Sequence, residues 1–448
     1  MLTEDDAKAV LESALGMTDA DEAEASIGGG NFALTRFANN VVHQNVAEEK
    51  YEVSIRVAYG KRTARASTSS LEDDSMRRAV LSAQEMAKKS SPLPDLMPTP
   101  GRLERASKDC FVEATSGAAA MVRASMAKAV IDRCEKEGLS AAGIASTAEG
   151  SFGEYGEIPP FAVMNTNSLF QYQKLTKAMF STTVHAGDGS GWAAGTSDDV
   201  RSIDAGALAD RAVEKAVRGA NPTALDPGGY TVVLEPEAVS NLLWFLTEGF
   251  GALAVGEGRS FLSGKVGKRI VGENVNIRDD VYHKLHVGAA FDWEGVPKKT
   301  VELINSGTAC GVVHDRATAE AAGAEPTGHG LPVPNTEGPL PSHLVMDGGD
   351  RTLEDLISSV DRGVLVTRFW YTRVVDPIKV IITGMTRDGT FLIEKGAVTR
   401  PLINMRFNQS VVEMLNNVDG MTGQTIAADL VVPGLKAHNF TFTSGTSF

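Results

Sequence analysis

VAYGKRTARAST, Val57 to Thr68, alternates apolar and polar residues on both sides of a Gly60-Lys61 turn, the pattern of an antiparallel hairpin. It returns as VHAGDGSGWAAGT, Val184 to Thr196, with one residue inserted, and each copy leads into an acid-started amphipathic helix. After the first hairpin Ser70 is the expected cap, Glu72, Asp73 and Asp74 suit the positive end of the helix dipole, and Met76, Ala79, Val80, Ala83 and Met86 form an apolar face. After the second, Asp204 opens a helix over Ile203 to Val217, and the breaker ANPTALDPGG ends it. Upstream of the hairpins, strands are expected from Phe32 onward and across Ser140 to Thr196, with a helix at Met121 to Glu137 and a four-proline linker at Ser90 to Gly101. The reading is a duplicated strand-run-plus-helix unit, with two similar subdomains at about 1–100 and 101–220 forming an N-terminal mixed domain, 1–220.

The character changes beyond Gly229. Tyr230 to Leu234 reads as a strand and Glu237 to Leu253 as one helix; short strands between Gly, Asp and Asn turns then run to the end, with one obvious helix at Thr352 to Val360. The expected fold class is α+β, with residues 221–448 forming a C-terminal antiparallel β barrel-like domain and no parallel sheet.

With 448 residues, 42% hydrophobic and 22% charged, the chain is long enough for two or three packed domains. Its net charge, 43 − 57 = −14, disfavours direct contact with phosphate backbones or anionic lipid, and no run of Lys and Arg forms a basic patch. Cys110, Cys134 and Cys310 are too few and too scattered for a disulfide scaffold. An acidic, helical N-terminus and the lack of a membrane-length apolar stretch complete the expectation of a cytoplasmic chain that binds neither nucleic acid nor membrane.

No His is followed by Glu in a zinc-peptidase pattern. His283 and His286, three apart, lack a third ligand and read as solvated loop. The segment GRSFLSGKV, Gly258 to Val266, departs from a phosphate loop in its glycine spacing and carries Val266 where a hydroxyl is needed. The remaining candidates for acid-base work are Asp292 and Glu294, two apart in FDWEGVP, and His329 in EPTGHG, with His314 as a further imidazole. Each has a plainer alternative: a turn held by Asp292 and Gly295, and a flexible loop around His329.

Taken together, three C-terminal segments resemble the TldD/PmbA family, also called TldD/TldE proteins and modulators of DNA gyrase. They are FLSGKVGKRI at Phe261 to Ile270, FDWEGVPKKTVELINSGTACGVVHDRATAEAAGAEPTGHG at Phe291 to Gly330, and GMTRDGTFLIEKGAVTRPLINMRF at Gly384 to Phe407. The middle segment is the most specific. The resemblance implies an N-terminal domain of repeated units and a barrel-like C-terminal domain. It also implies that TldD-type members bind zinc through His-Glu-x-x-x-His on a helix before the Ser-Gly-x-Val-Gly segment, with a downstream Cys, and cleave peptides.

In this sequence that helix is NLLWFLTEGFGALAV, where Trp244 and Phe245 replace the first His and the Glu, and Gly249 or a close neighbour stands at the second His; no Cys follows Cys310. Trp244, Phe245 and Leu246 are expected to bury in the C-terminal domain, filling the space a metal site would need. The resemblance therefore points to the PmbA/TldE type, without zinc or another cofactor, whose partner is a TldD-like zinc-bearing homologue in a heterodimer, or itself in a homodimer, and whose substrate is an extended peptide. Such complexes are associated with trimming peptide precursors and degrading unfolded antitoxins. Two other readings stay open: an independent peptidase using Asp292, Glu294, His329 or His314, and a homodimeric scaffold.

Overall fold

The computed structural model describes residues 1–152 and 158–446. The N-terminal half runs α1 (Glu4–Gly16), β1 (Glu22–Ala38), β2 (Val41–Tyr59), β3 (Arg62–Thr68), α2 (Asp73–Lys89), a short α3 (Glu113–Ser116), α4 (Ala120–Glu137), β4 (Ser140–Ser151), β5 (Pro160–Asn165), β6 (Phe170–Tyr172), β7 (Thr176–Ala186), β8 (Gly189–Ser197) and α5 (Ala205–Arg218). Helix, three strands, helix thus occurs twice, with β5 and β6 inserted into the second copy. Residues 153–157 of the expected strand-rich run lie outside the described residues.

The two units share one sheet of order β3-β2-β1-β4-β7-β8, joined where β1 pairs antiparallel with β4 from Gly29↔Ser151 to Phe37↔Gly143. Helices cover one face: Leu11, Val53, Ile55 and Val80 pack beneath the first half, Val130, Phe180, Val184 and Leu208 beneath the second. The strand run begins at Glu22, ten residues before the expected start, because Gly28-Gly29-Gly30 belongs to a strand and is not a break. A Cβ on Gly30 would lie 2.1 Å from the Glu149 carbonyl oxygen, and one on Gly150 2.1 Å from that of Gly29, so β1 and β4 approach closely only because both positions lack side chains. Helix α2 starts at Asp73, and Ser70 does not cap it; its hydroxyl accepts from the Glu72 N–H one turn earlier.

The C-terminal half contains β9 (Gly228–Leu234), α6 (Pro236–Leu243), α7 (Ala252–Gly256), β10 (Ile277–Asp279), β11 (Val301–Asn305), β12 (Thr308–Ala309), α8 (Arg316–Ala322), β13 (Leu344–Met346) and α9 (Leu353–Ser358). It continues with β14 (Arg362–Asp376), β15 (Ile381–Glu394), β16 (Ala397–Pro401), β17 (Met405–Ser410), α10 (Val411–Asn416), β18 (Val418–Met421), β19 (Thr425–Ala427), β20 (Leu430–Val432) and β21 (Leu435–Gly445). Strands β14-β9-β21-β17-β15 close into a barrel because β15 also pairs with β14. Val232, Val364, Phe369, Ile382, Phe407 and Phe440 fill the adjoining core, with Phe369 and Phe407 ring centroids 4.5 Å apart. A second sheet, β12-β11-β10-β13-β20-β19, lies beside the barrel. Pairing is mainly antiparallel, as expected, with two parallel contacts: β14 runs parallel to β9 and β13 parallel to β20. In both cases a long connection returns the chain to the same end of the sheet, which a hairpin cannot do.

The uncovered face of the N-terminal sheet turns toward the C-terminal half. From that face Lys177 reaches Asp429 at 2.6 Å; on the helical side Lys215 of α5 reaches Glu235 at 2.6 Å. The Arg65 Nε donates to the Val333 carbonyl at 3.0 Å. Among the described residues no helix is long and apolar enough to cross a membrane.

Candidate functional site

The segment expected to be one helix over Glu237 to Leu253 is three pieces. Helix α6 ends at Leu243, Trp244 to Phe250 tightens into a 3-10 helix, and Gly251 is extended before α7. Gly251 breaks the helix by pairing with Val313: the Val313 N–H donates to the Phe250 carbonyl and the Ala252 N–H to the Val313 carbonyl. On this segment Leu246 is fully buried, Phe245 is half-buried against the barrel core, and Trp244 is 48% exposed. The expectation that all three fill a metal-sized space therefore fails for Trp244, which the turn of α6 places outside the packed stripe.

Gly249 faces the Phe261 ring, which would lie 2.4 Å from any Cβ at that position. Ser260 Oγ donates to the Gly249 carbonyl at 2.5 Å, fixing this contact. An indole, a half-buried phenyl ring and a glycine offer no zinc donor, and the described residues contain no group of three or more His, Cys, Asp or Glu placed to hold a metal ion. The zinc that the family resemblance implies for TldD-type members does not fit this helix.

The segment Phe291 to Gly330 brings the other candidates together, but inside the protein. Asp292 Oδ1 accepts from the Glu294 and Val296 N–H groups, each at 2.9 Å, and Oδ2 accepts from the Gly330 N–H at 2.7 Å. This is the turn foreseen for Asp292 and Gly295, with Gly295 at φ +77°. Glu294 is held by Arg316 Nη1 at 3.2 Å. Burial, together with the neighbouring Asp292 charge, pushes the Glu294 carboxyl well above its usual range; burial also raises Asp292, whose three N–H donors oppose the shift. Burial and mutual repulsion thus favour one negative charge on the pair over two.

His329 is not on a flexible loop. It is 1% exposed, its Nε2–H donates to Asp279 Oδ1 at 2.8 Å, and its Nδ1 lies 2.9 Å from Thr327 Oγ1. Burial pushes the imidazole pKa down. Asp279 also accepts from the backbone N–H groups of Ser342 and His343, at 2.8 and 2.6 Å. Burial raises the Asp279 carboxyl, but the His329 hydrogen bond with the charges around it outweighs burial and leaves it low. Sequence reasoning missed Asp279 and Arg316, because each is separated by many residues or a full loop from the side chain it serves.

His286 is buried rather than solvated, stacked edge-on against His343 at 5.1 Å, with its pKa pushed down to about 4 by burial. His283 lies 6.2 Å from His286, and His314 is half-buried with its backbone N–H on Thr327 Oγ1. Asp292, Glu294 and His329 are each at most 5% exposed, so none presents an acid or base to a substrate.

Beside the Trp244 to Phe250 segment, α6, β14 and β8 come together. Asn241 Oδ1 accepts from the Phe369 N–H on β14, so the helix that lacks zinc donors lies along this strand. Arg368, next on β14, stacks over Trp192 of β8 at 4.8 Å and binds Asp388 through Nε at 2.9 Å.

Residues 227–444 match the model for the PmbA/TldA metallopeptidase C-terminal domain, and residues 23–87 that for PmbA/TldA metallopeptidase domain 1. A metalloprotease of Methanothermobacter thermautotrophicus is 28% identical over 270 residues, 57% of this chain and 58% of that protein. A metalloprotease TldD homolog of Buchnera aphidicola is 25% identical over 202 residues, 41% of each. The matched region thus spans about half the length of these curated relatives. The crystal structure of TldE from Thermococcus kodakarensis superposes with a TM-score of 0.84 at 22% identity, covering 97% of this chain and 99% of that one.

Proposed function

The chain belongs to the PmbA/TldA metallopeptidase family, and from that premise we propose that it is a non-catalytic subunit of a cytoplasmic metallopeptidase complex that helps enclose an extended peptide. The observation that carries the proposal is the Phe261 ring packed on Gly249, in a segment whose other ligand positions hold Trp244 and Phe245. The family fold is kept around a helix that cannot bind the metal. Catalysis then falls to a zinc-bearing homologue, with this chain supplying part of the wall. Beyond Phe369, whose N–H is taken by Asn241, β14 has no strand on its second edge among the described residues, and an extended peptide pairs with such an edge through backbone hydrogen bonds that read little sequence.

The alternative of an independent peptidase loses support from the burial of Asp292, Glu294 and His329. The deciding experiment is cleavage of an unstructured peptide by this chain alone, by a zinc-bearing homologue alone, and by both. Cleavage that needs both and is lost to a chelator supports the proposal. Chelator-insensitive cleavage by this chain alone overturns it.

A further inference from the structure

The segment Gly384 to Phe407 contains Thr386-Arg387-Asp388-Gly389-Thr390, which the barrel closure alone does not explain. Asp388 is 2% exposed and sits at φ +55°, a left-handed conformation that non-glycine residues adopt at a cost. Its Oδ2 binds Arg368 through both Nε and Nη2, while the Arg387 Nε stays 3.7 Å away, beyond a hydrogen bond. The hydrogen bonds of the buried carboxylate go to Arg368, and Arg387 keeps only a longer ion pair with it, its N–H donors unspent on Asp388.

Strand register puts the partners on one face. Arg368 lies opposite Arg387, Trp370 is two residues further along β14, and Phe369 between them points into the barrel core. The result is a ladder across both halves of the protein: Trp192, then Arg368 at 4.8 Å, then Trp370 at 5.3 Å from Arg368, then Arg387 at 5.0 Å from Trp370. Pairing of β14 with β15 shifts on both sides of this site, and Tyr371 stands at φ +51°; bulges of this kind re-aim side chains. Arg387 is 43% exposed, Trp370 39% and Tyr371 64%. From Arg368 to Asp388 the hairpin carries Arg368, Arg373, Lys379 and Arg387 against Asp376 and Asp388, a local positive excess in a chain of net charge −14.

We infer that the Trp370–Arg387 end of this ladder is a subsite for a carboxylate of an extended peptide lying along the edge of β14 beyond Phe369. A guanidinium with its face on an indole keeps its edge donors for a carboxylate, and the local positive charge overrides the repulsion an acidic peptide meets elsewhere on this surface. The inference rests on the peptide-holding role proposed above and adds a substrate class to it: peptides with an acidic side chain, or a C-terminal carboxylate, at the register of Arg387.

The test is fluorescence anisotropy of four labelled unstructured peptides on the purified full chain: acidic with an amidated end, neutral with a free carboxylate, neutral with an amidated end, and lysine-rich. The expected result is that one or both carboxylate peptides bind about tenfold tighter than the neutral amidated one, the scale of a hydrogen bond to a charged group. That gain should fall with ionic strength and vanish in Arg387→Gln, with an unchanged melting temperature. Comparison of the first two peptides separates side-chain from C-terminal carboxylates. Equal binding of the carboxylate and neutral amidated peptides, or an unchanged preference in Arg387→Gln, overturns the inference and leaves the peptide-holding role standing. Absence of binding by all four overturns both. Dissociation of an oligomer by Arg387→Gln, with peptide preference intact, assigns the surface to a subunit contact and also overturns the inference.

Discussion

The Phe261 ring occupies the space that any side chain at Gly249 would need, with two ring carbons 2.4 Å from the position of a Cβ. The contact is tied down on both sides: Phe250 packs edge-on against Phe261 at 5.4 Å, and the Ser260 hydroxyl holds the Gly249 carbonyl. The segment from Trp244 to Gly249 thus offers no donor for a metal at Trp244, Phe245 or Gly249, and the core is closed over Gly249.

Gly249→Ala is expected to destabilise the protein by about 1 to 3 kcal/mol, the usual cost of overpacking a filled core. Gly249→His should cost more and still recruit no stoichiometric zinc, since Trp244 and Phe245 add no ligand. Chemical denaturation and elemental analysis of the two variants are the measurements. Tolerance of Gly249→His with about one zinc gained per chain would show that the ring yields easily.

The three residues that follow Leu243 should differ in their energetics. Leu246 is fully buried, so Leu246→Ala should cost about 2 to 5 kcal/mol. Trp244 is half exposed, and Trp244→Ala should stay within about 1 kcal/mol; Phe245→Ala should fall between. Equal losses at 244 and 246 in urea denaturation would mean that Trp244 is covered in the folded protein.

How much of this was legible in the sequence depended on whether a signal was local. The hairpin at Val57 to Thr68, the helix capped by Asp204 and the helix after Thr352, closed by a capping box with Asp355, all follow from neighbouring residues, and each is found within a residue or two of where it was read. Gly28 to Gly30 reads locally as a break and is a strand because β4 comes close across it, a fact set 120 residues away. The same holds at the site. The Asp292 turn is visible in FDWEGVP, because its acceptor and two of its donors lie within five residues. The burial of His329 is not, because its partner Asp279 sits 50 residues upstream. Trp244 was misplaced because the helical period was extended through a segment that tightens into a 3-10 turn.

Asp279→Ala should be strongly destabilising. It leaves the buried His329 Nε2–H and the part-buried N–H groups of Ser342 and His343 without their acceptor, a loss of about 3 to 5 kcal/mol by comparison with other broken buried charge networks. Thermal unfolding followed by circular dichroism measures it. A loss within the range of ordinary surface changes would mean that water reaches Asp279.

The Asp292–Glu294 pair gives stability a definite pH dependence. Burial and the Asp292 charge raise Glu294 from the ordinary value of 4.5, so the folded protein keeps this proton in a range where the unfolded chain has lost it. When the folded state binds more protons than the unfolded state, stability falls as pH rises. The effect is absent below the unfolded value, because both states are then protonated, and it is complete once pH passes the folded value of about 8. Between those limits the contribution is a decline no steeper than about 1.4 kcal/mol per pH unit, the limit for one proton. Arg316 at 3.2 Å opposes the shift, so in Arg316→Gln the decline should keep the same limiting slope and continue to higher pH. Glu294→Gln replaces the protonated carboxyl with a neutral amide of similar shape, and should flatten this part of the profile and leave the variant more stable than the parent near the upper limit. Urea denaturation of the parent and both variants at a series of pH values decides the matter. A parent whose stability relative to Glu294→Gln rises through this window would show that Glu294 is ionised in the folded protein, held by Arg316 as an ordinary salt bridge.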